Sequence, residues 1–270
     1  MSHRPLAAAL LSASLAFAQG GPTDIDRPLQ LPALIVGDLK MAWTAPASWR
    51  QEEWGHLTLG ALGLVGLSLV ADRPVDQAFQ RTDRTRFNPL AKDLDTLGGN
   101  GSVLIAGGAY LTGVLAGMPT VRAFGADTSL SMLVAELLVA LPTKVLVGRS
   151  RPYEDEGPYH FKPLHGGVSF PSGHATQAFT LAAVISEYGD DPWISAAAYG
   201  GAGLVGLARL EQREHFLSDV VAGGLIGTLS AKAVMRRHHT LREGAKSHLA
   251  VSISPLVSGN STGLSVAVRF

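Results

Sequence analysis

Between Trp49 and Arg237 the chain alternates long apolar stretches with short polar connections, and this pattern restricts the fold more than any other feature. The stretches show no strict alternation of apolar and polar residues, so they favour helices over half-buried strands. Proline and glycine residues separate them. We therefore expect an all-α protein, a six-helix bundle with helices at about 51–71, 99–118, 128–148, 173–188, 193–209 and 216–236.

The N-terminal residues differ from this central part. Arg4, an apolar run and then Ala16-Phe17-Ala18 are typical of a secretory signal peptide covering residues 1–18. The alternative is that this run is a short first helix of the fold. Residues 19–50 contain four prolines and scattered charges, so we expect an extended N-terminal arm in front of a helical domain over 51–237.

The C-terminal residues change character again. Apolar residues alternate with small or polar ones on both sides of the turn-rich segment 258–263. Alternation with a period of two around a turn is the pattern of a β-hairpin. We therefore predict a hairpin over residues 246–270.

Composition excludes several classes of function. Lys and Arg together number 22, as do Asp and Glu, and charged residues make up only 16% of the chain. A nucleic-acid-binding protein would show a basic stripe or a positive balance, so we expect no nucleic acid partner. The absence of cysteine excludes disulfides, zinc–thiolate sites and a cysteine nucleophile.

Three polar clusters interrupt the apolar second half of the chain, each near an end of a predicted helix. If successive helices run antiparallel, these ends lie on one side of the bundle, and residues distant in sequence converge on one pocket. Together the clusters supply three cations, two histidines and a carboxylate, an inventory suited to an oxyanion such as phosphate. Their members are Lys144 and Arg151; Ser172, Gly173 and His174; and Arg209, His215 and Asp219.

The first cluster contains Lys144 and Arg151, which are about two helical turns apart. Arginine binds two phosphate oxygens through its planar guanidinium, whereas lysine acts as a point charge. Two solvated cations at a helix C-terminus are the alternative, because that end of a helix favours positive charge.

The second cluster, Pro171-Ser172-Gly173-His174, opens a predicted helix. Ser172 can serve as the N-cap, and the free N–H groups of the first turn form an anion site. Gly173 would let the backbone approach the anion closely. His174 would then lie beside the phosphate with a pKa suited to a proton donor. An ordinary N-cap with an incidental histidine is the alternative.

The third cluster places His215 and Asp219 at positions i and i+4, on one helix face if the helix begins by His215. A carboxylate bonded to one imidazole nitrogen fixes the tautomer and leaves the other nitrogen free to attack. Arg209 adds a third positive contact. A metal site is the alternative, but three nearby cations would repel a divalent ion, so we expect no metal and no other cofactor.

Together the patterns Lys144-x6-Arg151-Pro152, Pro171-Ser-Gly-His174 and Arg209-x5-His215-x3-Asp219 resemble the type 2 phosphatidic acid phosphatase superfamily. The resemblance covers about residues 50–237 and implies a metal-independent phosphatase. It implies that His215 is the nucleophile, forming a phosphohistidine, that Asp219 orients it, and that His174 is the general acid. Phosphate would be bound by Lys144, Arg151, Ser172, Gly173 and Arg209. The chain departs from the family pattern at Ala208, where serine is usual.

This superfamily also includes vanadium haloperoxidases, whose vanadate occupies the same kind of pocket, so that activity is an alternative. A catalytically silent membrane or scaffold protein of the same fold is another. The resemblance implies a phosphate monoester or pyrophosphate as substrate, in particular a phosphorylated lipid. The signal peptide favours an exported enzyme of the bacterial periplasm or cell envelope, with a bundle that spans the membrane as the alternative.

Overall fold

The computed structural model describes residues 24–81, 88–247, 250–258 and 261–269. The predicted signal peptide, residues 1–18, lies outside this part of the chain. Apart from two strands at its end, the described chain is helical. The prediction of an all-α bundle is therefore confirmed.

Seven helices lie in the described residues. They are α1 (Leu31–Ser48), α2 (Gln51–Arg81), α3 (88–115), α4 (Pro119–Val147), α5 (Gly173–Gly189), α6 (Pro192–Glu211) and α7 (Leu217–Ser247). Strands β1 (Ala250–Ser258) and β2 (Ser261–Arg269) follow and pair antiparallel.

Helix α1 corrects the prediction of an extended arm. Pro32 lies in the first helical turn, where the missing N–H would have no intrahelical acceptor in any case. Pro46 lies in the last turn, where it removes one helical hydrogen bond, and the helix ends two residues later. Leu34 is buried in an apolar cluster with Leu130, and buried Asp38 bonds to α7. This tertiary packing stabilises a helix that the prolines alone argue against.

Helices α2 and α3 are longer than predicted. Helix α2 continues past residue 71 through a π-helical turn, Ser68–Asp72, into the segment Arg73–Arg81. Helix α3 begins at residue 88, and its regular geometry breaks at Leu97–Gly101, where Gly99 has non-helical dihedral angles. The glycines that predicted a boundary at this point produce a kink within the helix.

Helix α4 begins at Pro119, so this proline starts a helix. A π-helical stretch, Val134–Ala140, precedes Pro142 inside α4. Such a bulge is a common means of accommodating a residue that cannot donate the regular hydrogen bond. The helix ends at Val147, close to the predicted end, and brings Lys144 to the rim of the bundle.

The core is built from small residues at helix crossings. Ala183 and Val184 of α5 pack on Ala231 of α7. At Gly227 a Cβ atom would lie 2.2 Å from the carbonyl oxygen of Thr176, so only glycine permits this backbone approach. The crossing brings the beginnings of α5 and α7 together, and these carry the second and third polar clusters.

Helix α7 corrects the predicted domain boundary at residue 237, because it continues to Ser247. Its second half contacts α1 and α4 through the buried side chain of His238, whose ring nitrogens lie 2.6 Å from Asp127 Oδ1 and 2.9 Å from Asp38 Oδ2. This network lies far from the clusters at the start of α7 and ties α1 to the bundle.

Three of the helices are long and apolar enough to cross a membrane: α2, α4 and residues 217–244 of α7. No residue in the apolar window of α2 is buried inside the bundle. The side chains of Leu59, Leu62 and Leu69 on this helix are all more than 60% exposed. This helix is therefore long enough to span a bilayer.

Candidate active site

The ends of four helices meet at one end of the bundle, as antiparallel packing requires. Lys144 lies near the end of α4, His174 at the start of α5 and Arg209 in the last turn of α6. His215 follows in the connection to α7. Lys144, Arg151 and Arg209 all act electrostatically on the His215 imidazole. The structure thus brings the three sequence clusters together around one histidine.

The tautomer of His215 is fixed by a backbone contact. Its Nδ1 lies 2.7 Å from the carbonyl oxygen of Ser169. A carbonyl oxygen only accepts hydrogen bonds, so Nδ1 carries the proton and donates it. The other ring nitrogen, Nε2, therefore keeps its lone pair, which is the form that a nucleophilic imidazole requires.

The expectation that Asp219 bonds to His215 was wrong. Helix α7 begins at Leu217, so His215 lies before the helix and does not share a helical face with Asp219. The distance from His215 Nδ1 to Asp219 Oδ2 is 3.9 Å, too long for a hydrogen bond. Asp219 Oδ2 instead accepts hydrogen bonds from Ser169 Oγ at 2.6 Å and from the N–H of Phe216 at 2.8 Å. Asp219 therefore orients His215 indirectly, by holding the residue whose carbonyl contacts it.

Arg149 is a functional residue that the sequence analysis missed. Its side chain is only 2% exposed, and its guanidinium donates to Asp219 Oδ1 at 2.6 Å and to Asp72 Oδ2 at 2.7 Å. It also lies over the ring of Phe216, 4.3 Å from the centroid. Its position two residues before Arg151 was the available signal, but only the fold shows that it points inward and joins α2 to the start of α7.

The surroundings of His215 lower its pKa well below the usual value. Burial is the largest cause, followed by the positive charges of Lys144, Arg209 and Arg151, while the hydrogen bond to Ser169 acts in the opposite direction. The imidazole is consequently neutral at neutral pH. Burial and charge thus agree with the tautomer in leaving Nε2 available as a nucleophile.

The second cluster forms the start of α5 as predicted. The Ser172 side chain accepts a hydrogen bond from the N–H of Ala175, and the Ser172 N–H donates to the carbonyl of Asp219 at 3.0 Å. Lys144 Nζ reaches the carbonyls of Pro171 and of Val168. These contacts fix the lysine beside the first turn of α5, whose N–H groups lack helical acceptors.

Gly173 leaves room beside this first turn. A Cβ atom at this position would lie 3.5 Å from Glu136 Oε1 and 4.0 Å from Lys144 Cε. Glu136 comes from the π-helical stretch of α4. The glycine therefore faces the space between one carboxylate and one ammonium group.

Two carboxylates pair with the arginines of the site, and neither was predicted. Glu214 contacts Arg151 Nη1 and lies 3.4 Å from Arg209 Nη2. Asp95, from the first segment of α3, contacts Arg209 Nη1 and lies 3.3 Å from His174 Nε2. No sequence pattern marks Asp95, because it is more than 70 residues before the first member of the second cluster.

His174 is partly exposed, and its pKa is lowered from the usual value. Burial and the charge of Arg209 lower the pKa, Asp95 and Glu214 raise it, and Arg151 lowers it further. A phosphate dianion bound among these cations would favour the protonated imidazole. This histidine therefore has the environment of a proton donor whose charge depends on the occupant of the site.

Among the residues that the structure describes, no group of three or more His, Asp or Glu side chains is arranged to hold a metal ion. The arrangement instead presents a neutral nucleophilic imidazole, three cations, a helix start and a second imidazole. Such a combination binds a tetrahedral oxyanion and transfers a group from it.

Residues 125–243 match the family model of the PAP2 superfamily, the phosphatidic acid phosphatases of type 2. This segment contains all three polar clusters. The match covers 119 of the 270 residues, so it is this segment of the chain that is similar to the PAP2 superfamily.

One curated relative and two solved structures are similar to the chain. A lipid A 1-phosphatase of Porphyromonas gingivalis is 41% identical over 63 residues, which are 23% of this chain and 14% of the relative's length. Aquifex aeolicus LpxE is 20% identical with a TM-score of 0.49, covering 61% of this chain and 94% of that one. A transmembrane PAP2 type phosphatidylglycerolphosphate phosphatase from Bacillus subtilis is 18% identical with a TM-score of 0.45, and the match covers 78% of this chain and 96% of that one.

Proposed function

We propose that the protein is a metal-independent phosphatase that hydrolyses the phosphate ester or pyrophosphate of a lipid through a phosphohistidine. One observation carries the proposal: His215 donates Nδ1–H to the Ser169 carbonyl and so presents Nε2 within the field of three cations.

The first chemical step transfers the phosphoryl group. His215 Nε2 attacks phosphorus, the P–N bond forms, and the bond from phosphorus to the leaving oxygen breaks. His174 gives a proton to that oxygen, which leaves as an alcohol or phosphate. Lys144, Arg151 and Arg209 offset the charge on the equatorial oxygens, the main contribution that a protein makes to phosphoryl transfer.

The second step regenerates the enzyme. His174, now neutral, accepts a proton from water as the water oxygen attacks phosphorus. The P–N bond breaks, His215 recovers its lone pair and inorganic phosphate leaves. The Ser169 carbonyl holds Nδ1–H in both steps, so the imidazole that becomes positively charged on phosphorylation is stabilised by its acceptor.

A lipid substrate and a location in the membrane are supported by the outer surface of the bundle. Leu104 of α3, Leu146 of α4 and Leu229 of α7 are all more than 60% exposed, as are leucines of α2. Apolar patches of this extent are typical of membrane contact. The similar Porphyromonas gingivalis protein is named as a phosphatase of lipid A. We propose a membrane-associated enzyme of the cell envelope, exported by the signal peptide.

Phosphate release in EDTA, from an aryl phosphate and from phosphorylated lipids, tests the proposal with three purified proteins. We expect turnover by the native protein, loss of at least about a thousandfold in His215→Ala, and normal turnover in the control His239→Ala, whose imidazole is exposed. Quenching in alkaline detergent, in which phosphohistidine is stable, should trap the phosphoenzyme on the native protein and on His239→Ala but not on His215→Ala.

Retention of turnover by His215→Ala would show that the nucleophile is assigned wrongly. If the native protein released no phosphate but oxidised bromide after addition of vanadate and peroxide, the haloperoxidase alternative would replace the proposal. Loss of both activities would favour the silent scaffold.

A further inference from the structure

The kinked part of α3 reaches the candidate active site although none of the three sequence clusters includes it. The carboxylate oxygen Oδ1 of Asp95 lies 3.3 Å from His174 Nε2 and also contacts Arg209 Nη1. One carboxylate therefore joins a member of the second cluster to a member of the third. The connection comes from a helix more than 70 residues before either of them.

The backbone of the same kink lies against the imidazole. A Cβ atom at Gly99 would lie 2.5 Å from His174 Nε2 and 2.9 Å from Cδ2. These distances are shorter than real side chains tolerate, so His174 can occupy its position only beside a glycine. Asp95 and Gly99 together form one wall of the space that holds the ring.

We propose that Asp95 is a positioning residue for the general acid His174, and that Gly99 provides the space which this position requires. The proposal rests on the proposed phosphatase function. The Asp95 carboxylate accepts the Nε2–H of the protonated imidazole, which stabilises its charged form and fixes the ring for transfer of the other proton, on Nδ1, to the leaving oxygen. Arg209 holds the carboxylate in place. The α3 kink is thus a fourth element of the active site.

Charge provides an independent argument for the role of Asp95. Arg209 and Arg151 disfavour the protonated imidazole of His174, while Asp95 and Glu214 favour it. Glu214 contacts the two arginines, whereas Asp95 contacts both Arg209 and the imidazole. Removal of the Asp95 charge should therefore reduce the protonated fraction of His174, while the amide oxygen of an asparagine can still accept from Arg209.

The distinguishing kinetic experiment compares leaving groups. A general acid matters most when the leaving oxygen is strongly basic, so Asp95→Asn should lose about tenfold in kcat on an alkyl phosphate and only about twofold on 4-nitrophenyl phosphate. KM should not rise, because a negative charge near the phosphate has been removed. The alkaline limb of the pH profile should move down by about one pH unit.

Matched variants separate this role from general damage. Asp93→Asn removes an exposed carboxylate from the same segment of α3 and should leave both substrates and the pH limb unchanged. Gly99→Ala should reproduce the loss on the alkyl phosphate, whereas Gly107→Ala, where a Cβ meets no atom within 4 Å, should not. If Asp95→Asn lost the same factor in kcat on both substrates and unfolded more easily than the native protein, the role of Asp95 would be structural only.

A titration of His174, which needs no turnover, tests the role of Asp95 independently of the proposed phosphatase function. The His174 imidazole resonance, assigned by its absence in His174→Ala, can be followed against pH in the detergent-solubilised full chain. We expect a lower midpoint in Asp95→Asn than in the native protein or Asp93→Asn. An unchanged midpoint would overturn the proposed role of Asp95, whether or not the native protein releases phosphate. A shifted midpoint in a native protein that releases no phosphate would reject the phosphatase function and leave the role of Asp95 standing.

Discussion

At the scale of single residues, the proposed nucleophile His215 is oriented by a chain of contacts that extends beyond the three polar clusters. Ser169 accepts the proton of His215 Nδ1, Asp219 holds Ser169, and Arg149 holds Asp219. The chain of contacts ends on Asp72, which comes from α2. Each member is buried, so removal of one leaves another without its partner.

Arg149→Met tests this arrangement, because it removes the cation between two buried carboxylates. The expected result is a loss of about 3 kcal/mol in the free energy of unfolding, the usual cost of leaving a buried charge unpaired, and loss of phosphatase activity. Denaturant unfolding in detergent measures the change in the free energy of unfolding. The control Arg236→Met removes an exposed arginine of α7, and equal stability of the two variants would contradict the importance of the contacts seen for Arg149.

The pH dependence of activity follows from the two histidines. The low pKa of His215 keeps the nucleophile neutral, so activity should persist well below pH 6.5. His174 must be protonated to act as the acid, and its pKa is also lowered. We therefore expect kcat/KM to be highest on the acid side of neutrality and to fall as the pH rises. A profile that instead rises from pH 5 to 8 would contradict these roles.

The same two histidines predict how stability changes with pH. In the unfolded chain each takes up a proton near pH 6.5, whereas the folded protein lowers both pKa values. Below about pH 6.5 the unfolded state therefore binds more protons, and the free energy of unfolding falls as the pH falls. Thermal midpoints between pH 8 and 5 should decrease less steeply for His215→Gln than for the native protein. Parallel curves would show that His215 takes up protons equally in both states.

At the scale of elements, the buried carboxylate of Asp38 attaches α1 to the far half of α7. Asp38 Oδ2 lies 2.9 Å from His238 Nε2, and its other oxygen contacts Arg237. The site lies about 28 Å away along α7, at 1.5 Å per residue. This contact therefore attaches α1 to the bundle and takes no part in the reaction at the candidate active site.

Asp38→Ala should weaken the attachment of α1 without changing the active site. We expect a loss of about 3 kcal/mol in stability, faster proteolysis within residues 31–48 and normal turnover per folded molecule. Limited proteolysis with mass spectrometry measures the cleavage sites. Lys40→Ala, a change at an exposed position of the same helix, serves as the control. Proteolysis no faster than in Lys40→Ala would show that α1 is held by its apolar contacts alone.

At the scale of the whole molecule, the apolar outer surface and the polar end of the bundle have different surroundings. Helix α2 carries exposed leucines over most of its apolar window, and its buried Asp72 reaches the site through Arg149. A lipid-embedded bundle would accommodate both features, because the leucines contact acyl chains and the site opens where lipid headgroups lie.

Membrane integration is tested by Leu62→Lys, which puts a charge in the middle of the exposed apolar part of α2. A charge at this depth costs about 3 kcal/mol, so the fraction retained in carbonate-washed membranes should fall. Gln51→Lys, at the polar start of the same helix, should behave like the native protein. Recovery of the native protein in an osmotic-shock fraction without detergent would favour a soluble periplasmic enzyme instead.

Much of this organisation could be predicted from the sequence. The apolar stretches predicted six helices, each to within about three residues at one end or both, because burial of a helical face needs only a local pattern. The same pattern underestimated the length of α2. It also missed α1, where the prolines argued against a helix that tertiary contacts stabilise. The sequence also predicted that the three polar clusters converge on one pocket, because they lie at helix ends that antiparallel packing places together.

The sequence by itself determined the helical class, the identity of the clustered residues and their suitability for an oxyanion, since all three depend on residue type and local spacing. The tertiary structure alone decided which group contacts which. The start of α7 at Leu217 takes His215 off the helix and replaces Asp219 by the Ser169 carbonyl. Packing of α2 and α3 against the site adds Asp72, Asp95 and the space at Gly99. Contacts between residues distant in sequence depend on how helices cross, and a local pattern carries no record of that geometry.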